Sequence, residues 1–109
     1  DYNLVMVFQP HRFTRTNDLY AEFVEVLRQV DDLMLLDIYS AGEKEIKGID
    51  SDSLKKSLIE SGFHRVQLFR DNQKVIKAIG QNINSDTVFV CQGAGDISAI
   101  SQQITKDFF

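Results

Sequence analysis

An α/β domain of the three-layer αβα, Rossmann-like kind is what this sequence predicts: an open sheet of about four mostly parallel strands with four helices. Three observations predict it. Short apolar runs alternate along the chain with longer amphipathic patterns, the rhythm of βαβ units rather than of hairpins. The apolar runs are continuous instead of alternating, as strands buried on both faces require. The chain has 109 residues, 43% of them hydrophobic, enough for one modest core in a single domain over 1–109.

The elements follow in order. Residues 4–8, Leu-Val-Met-Val-Phe, predict strand one. Residues 18–29 predict helix one, with Leu19, Tyr20, Phe23, Val24, Val26, Leu27 and Val30 on one broad face. Residues 33–38, Leu-Met-Leu-Leu-Asp-Ile, predict strand two, and the charged, glycine-containing stretch 43–50 a solvated loop. Helix two is expected over 51–60, capped at Asp50 or Ser51, with Leu54, Leu58 and Ile59 inward and Gly62 ending it. Residues 65–69 predict a short third strand. Helix three then starts after an Asp71 cap and buries Val75, Ile76, Ile79 and Ile83. Residues 86–91 predict strand four, and helix four sets Ile97, Ile100, Ile104 and Phe108 on one face.

Charge and composition narrow the function. A net charge of −4 argues against a general nucleic-acid or anionic-membrane surface, which needs a basic excess. No apolar run approaches the roughly 20 residues that span a bilayer. The single cysteine, Cys91, sits in the apolar run Val88-Phe89-Val90-Cys91 and excludes an internal disulfide. It reads as a small buried hydrophobe; a nucleophilic thiolate would need a base, for which His11 is the candidate.

The stretch from Phe8 to Asp18 concentrates the chemistry. It joins a strand to a helix, at the strand end where open α/β sheets bind ligands. It carries Arg12 and Arg15, His11, Thr14 and Thr16, with little apolar beyond Phe13. A helix starting over 14–18 would aim free backbone N–H groups at the spot the guanidinium groups reach, an anion site built from two sources. The plain alternative is two exposed arginines beside an N-cap at Thr16, Asn17 or Asp18.

Two further strand ends are candidates. Gly93-Ala94-Gly95-Asp96 touches the dinucleotide fingerprint, but Asp96 would compete with a phosphate for the helix N-terminus, so a tight turn is the better reading. At Asp37 to Glu43, a catalytic pair of Asp37 and Glu43 is conceivable. Tyr39, Ser40 and Gly42 read more safely as a turn that shapes a cleft on the same edge. His64 reads as a surface histidine.

The run Val7-Phe8-Gln9-Pro10-His11-Arg12-Phe13-Thr14-Arg15-Thr16 resembles the FQPHRYTRT signature of the Mur ligase family. Leu36-Asp37-Ile38-Tyr39-Ser40-Ala41-Gly42-Glu43 resembles that family's LDVYAAGE, and Gln92-Gly93-Ala94-Gly95-Asp96-Ile97 its QGAG-x-[IV]. Within the family, the pattern is most similar to the members that add L-alanine, and it covers nearly the whole chain. The resemblance implies the C-terminal, amino-acid-binding domain of a bacterial cytoplasmic ligase of peptidoglycan synthesis. That enzyme uses ATP and Mg2+, held mainly outside this chain, to make an acyl phosphate of UDP-N-acetylmuramic acid, which the amine of L-alanine attacks. Arg12, Arg15 and His11 would bind substrate, and Thr14, Tyr39, Gly42, Gly93 and Gly95 would line the cleft towards the ligase's own N-terminal and central domains.

The sequence departs from the pattern at Phe13, where tyrosine is commoner, and at Ser40, where alanine is usual. The family's domain would open with a further strand and a DDYGHHP loop, which is absent here, as is a glycine-rich Lys-Thr phosphate loop. Alone, the chain is therefore expected to be inactive. A free-standing small-anion-binding module and a non-catalytic interaction domain remain the alternatives.

Overall fold

Four apolar runs pair in parallel, and the helices between them are what that pairing demands. The computed structural model describes residues 2–93 and 95–109. The elements are β1 (Asn3–Gln9), α1 (Phe13–Asp18), α2 (Tyr20–Leu27), β2 (Asp32–Leu36), α3 (Ser51–Glu60), β3 (Val66–Phe69), α4 (Asn72–Gln81), β4 (Thr87–Gly93) and α5 (Asp96–Phe108). The sheet is all parallel, in the order β3-β2-β1-β4. This is the Rossmann-like α/β class expected.

Side chains alternate along β1 between two cores. Val5 and Val7 join Met34, Leu36, Val75, Ile79, Ile97 and Ile100 beneath α4 and α5. Leu4, Met6 and Phe8 face the other core, with Leu27, Leu33, Leu35, Leu54 and Leu58 beneath α2 and α3. Both faces of β1 and β2 are thus apolar, which is why their sequence runs do not alternate.

Helix ends follow local chemistry. Asp50 caps α3 by accepting from the Ser53 N–H, and Asp71 caps α4 by accepting from the Gln73 N–H. Gly62, at φ 100°, follows α3 as expected. Ser51 does not cap; its buried hydroxyl donates to the Leu36 carbonyl and fastens α3 to β2.

Several expectations need correction. There are five helices, not four, among the described residues, because a short helix, Phe13–Asp18, precedes the one expected over 18–29, which is observed as Tyr20–Leu27. The two are separated at Leu19, whose backbone leaves helical geometry at φ −111°, ψ 17°. Val26, Ile59 and Phe108, expected inward, are 59%, 37% and 39% exposed. The Phe108 ring lies where a side chain at Gly80 would be. Coverage of the sheet is incomplete at β4, where Val88 is 42% exposed. Among the described residues, no helix is long and apolar enough to cross a membrane.

Candidate functional site

The strand order fixes where a crevice forms. From β1 the chain steps to β2 and β3 on one side, and β4 then pairs on the other side of β1. The C-terminal ends of β1 and β4 therefore flank a topological switch point. Here that crevice is closed by the chain itself. The buried Gln9 side chain accepts from the Ile97 N–H at 3.1 Å and donates to the Asp37 carbonyl at 3.2 Å and the Asp96 carboxylate at 3.4 Å. One amide thus ties the ends of β1, β2 and α5. It also takes up the Ile97 amide in the first turn of α5, one of the groups the dinucleotide reading would need for a phosphate.

Gly93 belongs to β4 rather than to the turn, paired with Gln9 at φ 132°. A β-carbon there would collide with the Gln9 backbone oxygen. Gly95, at φ 84°, lies against the Tyr39 ring, which a β-carbon would also strike. Ala94 lies outside the described residues. On the other side of the site, the His11 ring stacks on Tyr39, with centroids 5.8 Å apart and planes at 13°. Backbone bonds from Arg12 N–H to Tyr39 C=O (2.7 Å) and from Tyr39 N–H to Pro10 C=O (2.9 Å) join the two loops. The three segments singled out in the sequence thus meet at one edge, through His11, Tyr39 and Gly95. Gly42, at φ 86° with open space around it, turns the neighbouring loop and touches none of these rings.

Arg12 occupies the N-cap position of α1 with φ 68° and ψ 144°. That backbone region favours glycine and costs an arginine about 1–3 kcal/mol. The neighbours that hold it there are specific. Its N–H is held by Tyr39, and its carbonyl accepts from the Thr16 N–H at 3.1 Å and the fully buried Thr16 hydroxyl at 2.7 Å. Thr16 is therefore a brace for Arg12 rather than an N-cap, the place that the plain alternative gave it or its neighbours Asn17 and Asp18. Phe13, also buried, fills the adjacent interior.

Because α1 starts at Phe13, Arg12 and Arg15 stand one helical turn apart. Both are exposed, and among the described residues neither makes an ion pair. With His11, Thr14, Asp18 and Leu19 they line a shallow depression of about 560 Å³.

The Thr14 amide at the start of α1 is not open to a ligand. Glu43 reaches across from the β2–α3 loop and accepts from the Thr14 N–H at 3.1 Å and the Thr14 hydroxyl at 2.7 Å. Those bonds, hydroxyl first and then the Thr14 and Phe13 amides, hold the Glu43 carboxyl below its ordinary pKa, with the Arg12 charge assisting. The anion site expected from two sources is therefore reduced to one, the guanidinium pair. Asp37 and Glu43 line one cavity between β2 and the β2–α3 loop; Asp37 lies just beyond β2, 3.4 Å from Arg70, which also bonds Asp52. A carboxyl held low in the folded state is stabilising above its unfolded pKa and loses that contribution as pH falls through the folded pKa. Thr14→Val is accordingly expected to raise the Glu43 pKa, read by NMR titration of its side-chain carboxyl carbon. An unchanged titration would show that the bonds to Thr14 are not what hold it.

Burial pushes the Cys91 thiol up, only partly opposed by a bond from Ser101. Cys91 packs on the α4/α5 core opposite Val7, and this favours the packing role over a thiolate. His64 is exposed. No group of three or more His, Cys, Asp or Glu side chains among the described residues could hold a metal ion. No protein-family model matches the chain.

Sequence reasoning missed the role of Gln9, and saw Thr16 and Glu43 in other roles. The signal for Gln9 was a polar residue ending an otherwise apolar strand, which a buried sheet tolerates only when it is hydrogen-bonded. Thr16 carried no signal separable from an ordinary cap.

Proposed function

We propose that this chain is the amino-acid-binding domain of an ATP-dependent ligase of the Mur family, one that joins L-alanine to UDP-N-acetylmuramic acid. The observation that carries the reading is the guanidinium pair, Arg12 and Arg15, one turn apart, without ion-pair partners among the described residues, on the wall of one depression at the end of β1. The three resembling motifs support it, since they meet at one edge of the sheet.

The chemistry asks for an amino acid held by its carboxylate with its amine free to attack. A guanidinium fork does this with two parallel N–H···O bonds, where an ammonium supplies only a point charge. The strained backbone of Arg12, braced by Thr16 and Tyr39, aims the first fork before any ligand arrives, which spares ordering cost on binding. His11, stacked on Tyr39, walls the depression and limits the room beside the fork. Glu43 occupies the nearby helix amides, so an incoming carboxylate is directed to the arginines rather than to the backbone. ATP and Mg2+ would supply the activated acyl group from the other domains of the enzyme. This chain's part is to bind the amino acid, orient it, and help exclude water when the domains close.

The test is phosphate release by the full-length polypeptide carrying this domain. Release should require both UDP-N-acetylmuramic acid and an amino acid, with L-alanine giving the highest kcat/KM among L-alanine, glycine and L-serine. Release that ignores the amino acid would overturn the reading.

A further inference from the structure

The edge of the sheet farthest from the β1/β4 crevice carries a second feature. β3 pairs only with β2, so one side of its backbone has no strand beside it. Between α3 and α4 this open edge lies in a groove of about 590 Å³. Its floor is Gln67, Leu68 and Phe69; its walls bring Lys55 from α3 and Lys74 and Lys77 from α4. No carboxylate lines it, although the chain as a whole carries a net charge of −4.

We propose that this groove docks an extended, acidic segment of a partner protein, which adds to the sheet as a strand beside β3. The physical case has three parts. An unpaired strand edge offers a row of N–H and C=O groups that a second extended backbone satisfies. Half-buried Leu68 and Phe69 offer apolar surface to the alternate side chains of such a strand. The three lysines decide the partner's charge. A second copy would bring three lysines to face three, and the same repulsion that excludes it favours a segment rich in Glu or Asp. The other open edge, β4, carries no charged residue in Thr87–Gly93 and so offers no comparable selection.

The experiment uses this chain with a fluorescent ten-residue peptide of alternating Glu and Val. Three comparisons accompany it: the Lys-Val peptide, the Glu-Val peptide N-methylated at alternate amides, and the Lys74→Glu/Lys77→Glu variant. Both substitutions are on exposed helix positions, so the fold should be unchanged by circular dichroism. Saturable binding of the Glu-Val peptide is expected, weakened about tenfold or more by the double substitution and by N-methylation, with the Lys-Val peptide not binding. Binding that survives N-methylation would be charge attraction without strand addition and would overturn the proposal. So would absence of binding at millimolar peptide, or self-association of the chain through β3 in place of it.

Discussion

On the proposed function, Arg12→Lys and Arg15→Lys in the full-length polypeptide carrying this domain are each expected to raise the KM for L-alanine about 10- to 100-fold, with the KM for ATP nearly unchanged. The size follows from losing one charge-assisted, geometrically matched hydrogen bond of about 1.5–3 kcal/mol. Lysine keeps the charge, so what is removed is the planar fork. The two sites should differ in kind. Arg15 sits on regular helix, so its replacement leaves the backbone as it is. Arg12 sits on strained backbone that its neighbours enforce, so Arg12→Lys inherits the same φ and the same brace. Both variants should therefore fold as the parent does, and a loss of activity would report the site. Unchanged kinetics in both would return the pair to plain surface residues.

The second large effect concerns stability at the closed crevice. Gln9→Leu keeps the volume but leaves the Ile97 N–H and the Asp37 carbonyl without their buried partner. Stranding buried polar groups costs about 1–3 kcal/mol each, so a loss of about 2–4 kcal/mol is expected. For a domain whose total stability is about 5–15 kcal/mol this is a severe change. Gly93→Ala should lose a comparable amount, about 2–4 kcal/mol, because it combines an unfavourable φ with a collision against the Gln9 backbone. Gly48→Ala is the control, with φ 83° but open space where the methyl would go, and should cost about 1 kcal/mol. Urea midpoints of the three variants check the order. If Gly93→Ala matched Gly48→Ala, the close approach of β4 to the end of β1 would not be a determinant of the fold.

The fold was readable where one signal dominated. Helix α3 runs over the residues expected, because an Asp cap, a regular apolar stripe and a terminating glycine all agree. The strands were readable from unbroken apolar runs, and their shifts of up to two residues at the ends reflect backbone pairing, which the side-chain pattern does not encode. The first helix was misread because its opening turn, Phe13–Asp18, is polar and short, and is held by contacts from elsewhere. Glu43, 29 residues away in sequence, satisfies its first amides, and buried Phe13 and Thr16 anchor it. No local pattern announces such support. The candidate site follows the same division. Arg12, Arg15 and His11 were visible as residue types at a strand end. Their arrangement depends on Tyr39, Thr16 and Gly95, whose roles exist only once three distant loops meet.

The measurement that tests the proposed function most directly is a double comparison on the full-length polypeptide carrying this domain. Wild type and Arg15→Lys are each assayed with L-alanine and with L-alaninamide, which keeps the attacking amine and lacks the carboxylate. A carboxylate clamp predicts that the substitution costs about 10- to 100-fold in kcat/KM with L-alanine and little with L-alaninamide. An equal loss with both substrates would contradict it, because the arginine would then be serving something other than the amino acid's carboxylate.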